Sequence, residues 1–281
     1  MQWTNYHSHT SFSDGKFDPE TYVQQAIALG LPAYGISDHG PHPYHNGSNL
    51  FFEEIAAYTA KIQQLKEKYK DQIQLYCSME VDYIPAVMDV EHQAILDANL
   101  DYTICSVHHA GLYEDKQQLF SIDNTALGLQ KGINELYNGD NRALVERYFE
   151  LTREMIQTAP PTILGHLDRI KKNNKDQLFF DETEPWYVKA VQQTLDVIQD
   201  SNVIVEVNTK SFYKGYTEEP DPSFWILEMV YERNVPIHLS SDTHHPDCIT
   251  GAFEEVARRL RKIGFTHQRI LLDDVWGAVK L

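Results

Sequence analysis

The sequence predicts an α/β fold of parallel strands and helical crossovers, and three observations lead there. Short apolar runs rich in β-branched and aromatic residues recur seven or eight times along 281 residues. Longer stretches with apolar residues at helical spacing lie between them. Strict alternation of the two types implies parallel strands, because a parallel pair needs a long crossover and a helix is the usual one. The pattern fits a closed barrel or an open doubly wound sheet. No GxGxxG follows a strand, so a dinucleotide-binding sheet has little support. The length suits one α/β barrel with one large core, and the chain is read as a single domain over residues 1–281.

The first run, Trp3 to Tyr6, opens the chain. Asp18 then caps a helix, Pro19 suits its first position, Tyr22, Val23, Ala26 and Ile27 form its apolar stripe, and Gly30 ends it. Strand Ala33 to Ser37 precedes a helix over Phe51 to Tyr69. Strands Gln74 to Met79 and Tyr102 to Val107 follow. The stretch from Gly111 to Asn141 is polar, holds several Gly and Asn, and is long for a connection. It reads as an excursion over one face that contributes to a substrate pocket. Helix Arg142 to Gln157, strand Thr162 to Leu164, helix Tyr187 to Gln199 and strand Val203 to Val207 come next. Helix Ser223 to Asn234, strand Ile237 to Ser240, helix Gly251 to Ile263 and strand Ile270 to Leu272 complete the alternation.

Composition narrows the function. The chain has 24 Lys+Arg against 41 Asp+Glu, a net charge of −17, and no dense basic run. Such a surface repels nucleic acid and anionic membrane, so neither is an expected partner. Cys77, Cys105 and Cys248 are odd in number and lack CxxC spacing, which predicts no disulfide scaffold. Cys77 and Cys105 read as core thiols. The N-terminal residues show no basic stretch followed by an apolar run, and no stretch of about 18 apolar residues occurs. A reducing cytoplasm is the expected location.

The 13 histidines are informative because of where they stand. His7 and His9 follow the first strand, Asp38 and His39 the second, Glu80 the third, and His108 and His109 the fourth. His166 follows the fifth, Glu206 and Asn208 belong to the sixth, and Asp242, His244 and His245 follow the seventh. In parallel α/β barrels these strand ends converge on one face. For any one of these histidines, hydrogen-bonded packing is the plainer reading. Together, several imidazoles beside several carboxylates would be costly to bury without cations. Alternate strand residues point to one side, so His7 and His9 can reach one ion, and Asp242 and His244 repeat the arrangement. Imidazole with carboxylate suits Zn, Mn or Fe better than Ca or Mg. Nine ligands exceed what one tetrahedral ion needs, which predicts two or three divalent transition metals. His45, His92 and His267 lack this context and read as surface or packing residues.

The order H-x-H, S-D-H, E, S-V-H, G-H-L-D and S-S-D-T-H resembles the polymerase and histidinol phosphatase (PHP) superfamily over essentially the whole chain. The resemblance implies a distorted seven-stranded (β/α) barrel with a trinuclear metal centre at the C-terminal strand ends. It places His7, His9, Glu80 and Asp242 on one metal, with Glu80 bridging to a second held by His108 and His166. Asp14 or a nearby group, with His39 and His244, would hold the third. Three stretches resemble PHP-type histidinol-phosphatases more narrowly. They are Ser37-Asp38-His39-Gly40-Pro41-His42-Pro43, then Gly165-His166-Leu167-Asp168 with Arg169, Lys171 and Lys172, and finally Glu206-Val207-Asn208-Thr209 leading to Tyr213-Lys214-Gly215 and Glu219-Pro220. This likeness implies hydrolysis of L-histidinol phosphate in histidine biosynthesis. The chain departs from it at Lys171, where Arg is frequent, and at Asp221, where an aromatic is common between the two prolines.

Hydrolysis of a phosphomonoester needs a nucleophile, neutralised phosphoryl oxygens and a proton for the leaving alkoxide. A metal pair bridged by Glu80 would supply hydroxide for in-line attack. Lys171 and Lys214, with Arg169 in reserve, are the expected phosphate-binding residues. Asp14 and His42 are the expected proton donors, against plainer readings as turn and rigid-loop residues. Glu206 and Asn208 read as hydrogen-bond partners of the metal ligands, ahead of a role toward the amine of histidinol. Two rival functions remain. One keeps the centre but acts on another small monoester or phosphotyrosine; the other is a metal-binding regulatory domain without catalysis, which the complete ligand set disfavours.

Overall fold

The computed structural model describes residues 3–44, 47–113 and 117–281; His45 lies outside them. The barrel strands are β1 (Ala33–Ile36), β2 (Gln74–Cys77), β3 (Glu80–Asp82) and β4 (Ile104–Ser106). After them come a hairpin of β5 (His109–Tyr113) and β6 (Gln118–Ser121), then β7 (Ile163–Leu164), β8 (Ile204–Asn208) and β9 (Ile237–Ser240). A second hairpin, β10 (His267–Leu272) and β11 (Val275–Lys280), ends the chain. The helices are α1 (Pro19–Ala28), α2 (Ile55–Tyr69), α3 (Gln93–Asp97), α4 (Ala126–Leu136), α5 (Asn141–Thr158), α6 (Pro185–Gln199), α7 (Lys210–Tyr213), α8 (Phe224–Glu232) and α9 (Phe253–Ile263).

The strands close on themselves, all parallel. β1 pairs with β2, and β3, β4, β7, β8 and β9 run side by side in that order. A bridge from His39 to Glu80 joins the two sets. The N-terminal segment fills the remaining gap, with Asn5 beside Tyr34 on one flank and Ser8 beside Thr243 on the other. It makes single bridges instead of the continuous strand expected over Trp3 to Tyr6. The Asn5 amide replaces ladder bonds there, donating to Ser241 Oγ at 2.9 Å and accepting from Ser241 N at 3.1 Å. The run expected from Gln74 to Met79 also splits. Ser78 N donates to Ile36 O at 2.8 Å while its hydroxyl turns to Tyr102 O at 2.8 Å. β2 therefore belongs to β1, β3 belongs to β4, and the kink brings Glu80 to the mouth of a distorted (β/α) barrel.

Helix α1 forms as its sequence implies. Asp18 accepts from Glu20 N at 2.9 Å, Tyr22, Val23 and Ala26 are buried, and Gly30 takes φ +72° just beyond the end. The excursion expected from Gly111 to Asn141 carries secondary structure of its own, since it contributes to the β5–β6 hairpin and contains α4. Gly132 lets them meet closely, because a Cβ there would lie 2.0 Å from Phe120 Cε2. Ile270 to Leu272 is not a barrel strand but part of an antiparallel hairpin. Its Ile270 and Leu271 pack on Tyr6, Ala33, Tyr76, Tyr102, Ile104, Ile163 and Ile204. Several of these begin barrel strands, so the hairpin plugs the end opposite the histidines. The main core lies between the barrel and its helices. Cys77 and Cys105 are buried free thiols. Among the described residues no helix is long and apolar enough to cross a membrane.

Candidate metal centre

Glu80 opens β3, and its buried carboxylate is the hub of the barrel mouth. Oε2 lies 3.2 Å from His7 Nε2, 3.5 Å from His9 Nε2 and 3.1 Å from His39 Nδ1. Oε1 lies 2.9 Å from His166 Nε2 and 3.5 Å from His108 Nε2. One carboxylate thus touches two groups of imidazoles. Asp242 Oδ1 stands 3.1 Å from His9 Nε2 and 3.8 Å from His7 Nε2. Asp14 Oδ1 stands 3.0 Å from His244 Nε2 and 3.9 Å from both His9 Nδ1 and His39 Nε2. The structure therefore gathers all nine sequence-predicted ligands, His7, His9, Asp14, His39, Glu80, His108, His166, Asp242 and His244.

The donor set fits divalent metals. Ligand atoms around an ion with bonds of roughly 2.0–2.2 Å stand about 3.3–3.6 Å apart at tetrahedral angles, and the spacings above cluster near this. His7 Nε2 and His9 Nδ1 are buried and make no hydrogen bond among the described residues, a costly state unless something else takes their lone pairs. Charge tells the same story. Burial works to raise Glu80 and Asp242, yet the surrounding cationic groups hold both carboxyls well below their usual range. Burial, with His244 and His39 close by, pushes His9 well below its ordinary value, whereas Glu206, Glu80 and Asp242 outweigh burial at His7 and raise it well above its own, so a bound metal would have to displace a proton there.

Further residues hold the ligands in place. Glu206, wholly buried on β8, accepts from His7 Nδ1 at 2.5 Å and from His166 N at 2.8 Å. Asn208 Nδ2 reaches Glu206 Oε2 at 3.1 Å and Asp242 Oδ2 at 3.2 Å. Both therefore contact the predicted ligands directly. Asp38 accepts from Thr10 N at 2.6 Å and Ser13 Oγ at 2.5 Å, shaping the turn that presents Asp14. Asp82 was not anticipated; its Oδ1 lies 2.6 Å from His108 Nδ1. The Glu-x-Asp spacing of Glu80 and Asp82 on one strand was its signal, the same alternation that exposed His-x-His.

A cleft of about 870 Å³ opens over the centre, lined by Arg169, Lys172 and Lys210 and walled by Gln117, Gln118 and Leu119 of the excursion. This revises the expected phosphate-binding set. Arg169 is in the lining, but Lys171 is buried away from it, with Nζ 2.7 Å from each of Asp168 Oδ2, Pro220 O and Ser223 Oγ. The cause is the 3₁₀ turn over Arg169–Asn173. Residues three apart eclipse in such a turn, so Arg169 and Lys172 share the cleft side and Lys171 does not. Lys214 is exposed with Nζ over the Tyr213 ring, outside the lining. Lys210, four residues earlier, takes the inward position, 3.0 Å from Asp242 Oδ1 and 3.2 Å from His244 Nε2. The two departures noted above meet in space, since Lys171 Nζ lies 3.4 Å from Asp221 Oδ1, and Asp221 Oδ2 lies 3.2 Å from Arg169 Nη1.

The two expected proton donors are placed differently. His42 is buried beside Asp82 and does not line the cleft. Asp14 does line it, but although burial works to raise its carboxyl, His244, His39 and His9 hold it well below the usual range. An ionised carboxylate suits a ligand, not an acid. His245 lies apart, against Phe17 and Asp247.

Fold and site define a class, a parallel α/β barrel whose strand ends converge on a multinuclear metal site of imidazoles and carboxylates. Residues 5–210 match the PHP domain, and the chain belongs to that family. It is 25% identical over 276 residues to the histidinol-phosphatase of Bacillus subtilis, across 92% of this chain and 100% of that protein. A solved structure from Listeria monocytogenes superposes with a TM-score of 0.77 at 21% identity, covering 90% of this chain and 99% of the other. Histidinol phosphate phosphatase from Lactococcus lactis, solved with zinc, L-histidinol and phosphate, superposes with a TM-score of 0.71 at 19% identity over 98% of each chain.

Proposed function

We propose that the chain, acting as one barrel domain, hydrolyses L-histidinol phosphate to L-histidinol and phosphate in histidine biosynthesis, using two or three ions of Zn, Mn or Fe. The observation that supports this most is the convergence of nine ligand side chains around Glu80 beneath a cleft carrying three basic residues. Bound there, such metals would supply an activated water and positive charge for the phosphoryl oxygens. His7, His9, Glu80 and Asp242 would hold one ion, Glu80, His108 and His166 a second, and Asp14, His39 and His244 a third. Glu206 keeps the His7 proton on Nδ1 and leaves Nε2 free to ligate. Arg169, Lys172 and Lys210 donate to phosphate oxygens from one side of the cleft. Asp123 on its wall adds an acidic group that suits a cationic leaving group such as an amino alcohol.

A turnover panel tests the substrate. Metal-replete protein is given histidinol phosphate, phosphotyrosine and nucleoside monophosphates in parallel, and phosphate is measured. Preference for histidinol phosphate is expected. A higher kcat/KM for phosphotyrosine would move the assignment to the other phosphomonoesterase reading while keeping the centre.

A further inference from the structure

Beside the nine ligands stands a separate trio from three different elements. His42 sits between Pro41 and Pro43 after β1, Asp82 ends β3, and His109 begins β5. All three are buried, and one ligand atom from each lies within 4.8 Å of the others. His42 Nε2 is 3.4 Å from Asp82 Oδ2, and His109 Nε2 is 3.6 Å from the same oxygen. Those separations are long for hydrogen bonds, which run to about 3.2 Å. They match the roughly 3.3–3.6 Å edges of a tetrahedron around an ion with bonds of about 2.0–2.2 Å.

We infer that His42, Asp82 and His109 bind a further divalent transition-metal ion, separate from those of the Glu80 centre. Two imidazoles and one carboxylate are a donor set for Zn, Fe or Mn, and three protein ligands leave a position open. Asp82 and His109 both line the cleft, so the open position faces the substrate space. The flanking prolines fix the backbone around His42 and lower the entropy lost on assembling the trio. Asp82 links the new site to the old one, because its Oδ1 holds His108 Nδ1 at 2.6 Å while Oδ2 faces His42 and His109.

The test counts metal. Full-length protein is stripped with a chelator, refilled with zinc and freed of excess, and zinc per chain is measured by mass spectrometry in the wild type and in His109→Ala. The variant is expected to hold one zinc fewer while retaining those of the Glu80 centre. Wild-type crystals measured on both sides of the zinc absorption edge give a check that needs no variant. An anomalous peak about 2.0–2.2 Å from His42 Nε2, Asp82 Oδ2 and His109 Nε2 is expected. Peaks at the Glu80 centre with none among these three side chains would overturn the site and leave the hydrolytic proposal standing, and so would equal zinc counts in the two proteins.

Discussion

Replacing Glu206 with glutamine isolates the device that holds His7 ready for a metal. The carboxylate is wholly buried and only accepts. Oε1 takes His7 Nδ1 at 2.5 Å and the Ser240 hydroxyl, and Oε2 takes His166 N at 2.8 Å and Asn208 Nδ2 at 3.1 Å. Glutamine keeps the shape but turns one oxygen into a donor. With its nitrogen toward His7, two donors meet, and His7 must carry its proton on Nε2, the atom facing Glu80 at 3.2 Å. With its nitrogen toward His166, a buried backbone N–H loses its acceptor. Either orientation costs about 1.5–3 kcal/mol for a hydrogen bond to a charged group. Loss of an orienting partner lowers metal affinity about 10–100-fold. Zinc affinity is read by competition with a fluorescent chelator, and stability by urea unfolding of stripped protein. Zinc affinity within about twofold of wild type, well short of that 10–100-fold loss, together with an unchanged urea midpoint, would refute the role given to Glu206.

Other predictions separate folding from function. Lys171→Met leaves Asp168 and Asp221 buried without their shared cation and should cost about 3–5 kcal/mol in urea unfolding; a loss under about 1 kcal/mol, the size of an exposed pair, would argue against the buried network. Lys172→Met should instead raise KM about tenfold, the loss of one charge-assisted contact, with a near-normal unfolding midpoint; an unchanged KM would remove Lys172 from the phosphate site. His238 is buried with Nδ1 donating to Arg269 O at 2.8 Å, and burial lowers its pKa to about 4. The unfolded chain takes up that proton near pH 6.5, so stability present above about 6.5 is lost as pH falls toward 4, by up to about 3 kcal/mol. His238→Gln should flatten that slope, and an identical slope in the variant would assign it to other groups.

Much of the centre was legible because strand alternation is a local rule. His7 with His9, and Asp242 with His244, project to one side whatever the distant fold does, and Asp82 could have been found the same way from Glu80. Lys171 and Lys172 were not separable, because their directions depend on a 3₁₀ turn that composition does not reveal. Lys210 was hidden for a similar reason, since only the one-turn helix α7 turns it inward and leaves Lys214 outside. The choice between barrel and open sheet rested on pairing between chain ends, Ser8 with Thr243, and no local pattern encodes it. The final hairpin did carry a signal, the Asp273-Asp274 turn between apolar runs, where both residues take positive φ. Its two strands nonetheless resembled one more barrel strand.

Phosphate release from histidinol phosphate, followed as metal is returned to fully stripped protein, tests the central claim most directly. No release is expected without metal, release should rise with metal per chain, and Glu80→Ala should stay inactive at every metal concentration. Undiminished turnover in the stripped protein would contradict a metal-dependent centre built on Glu80.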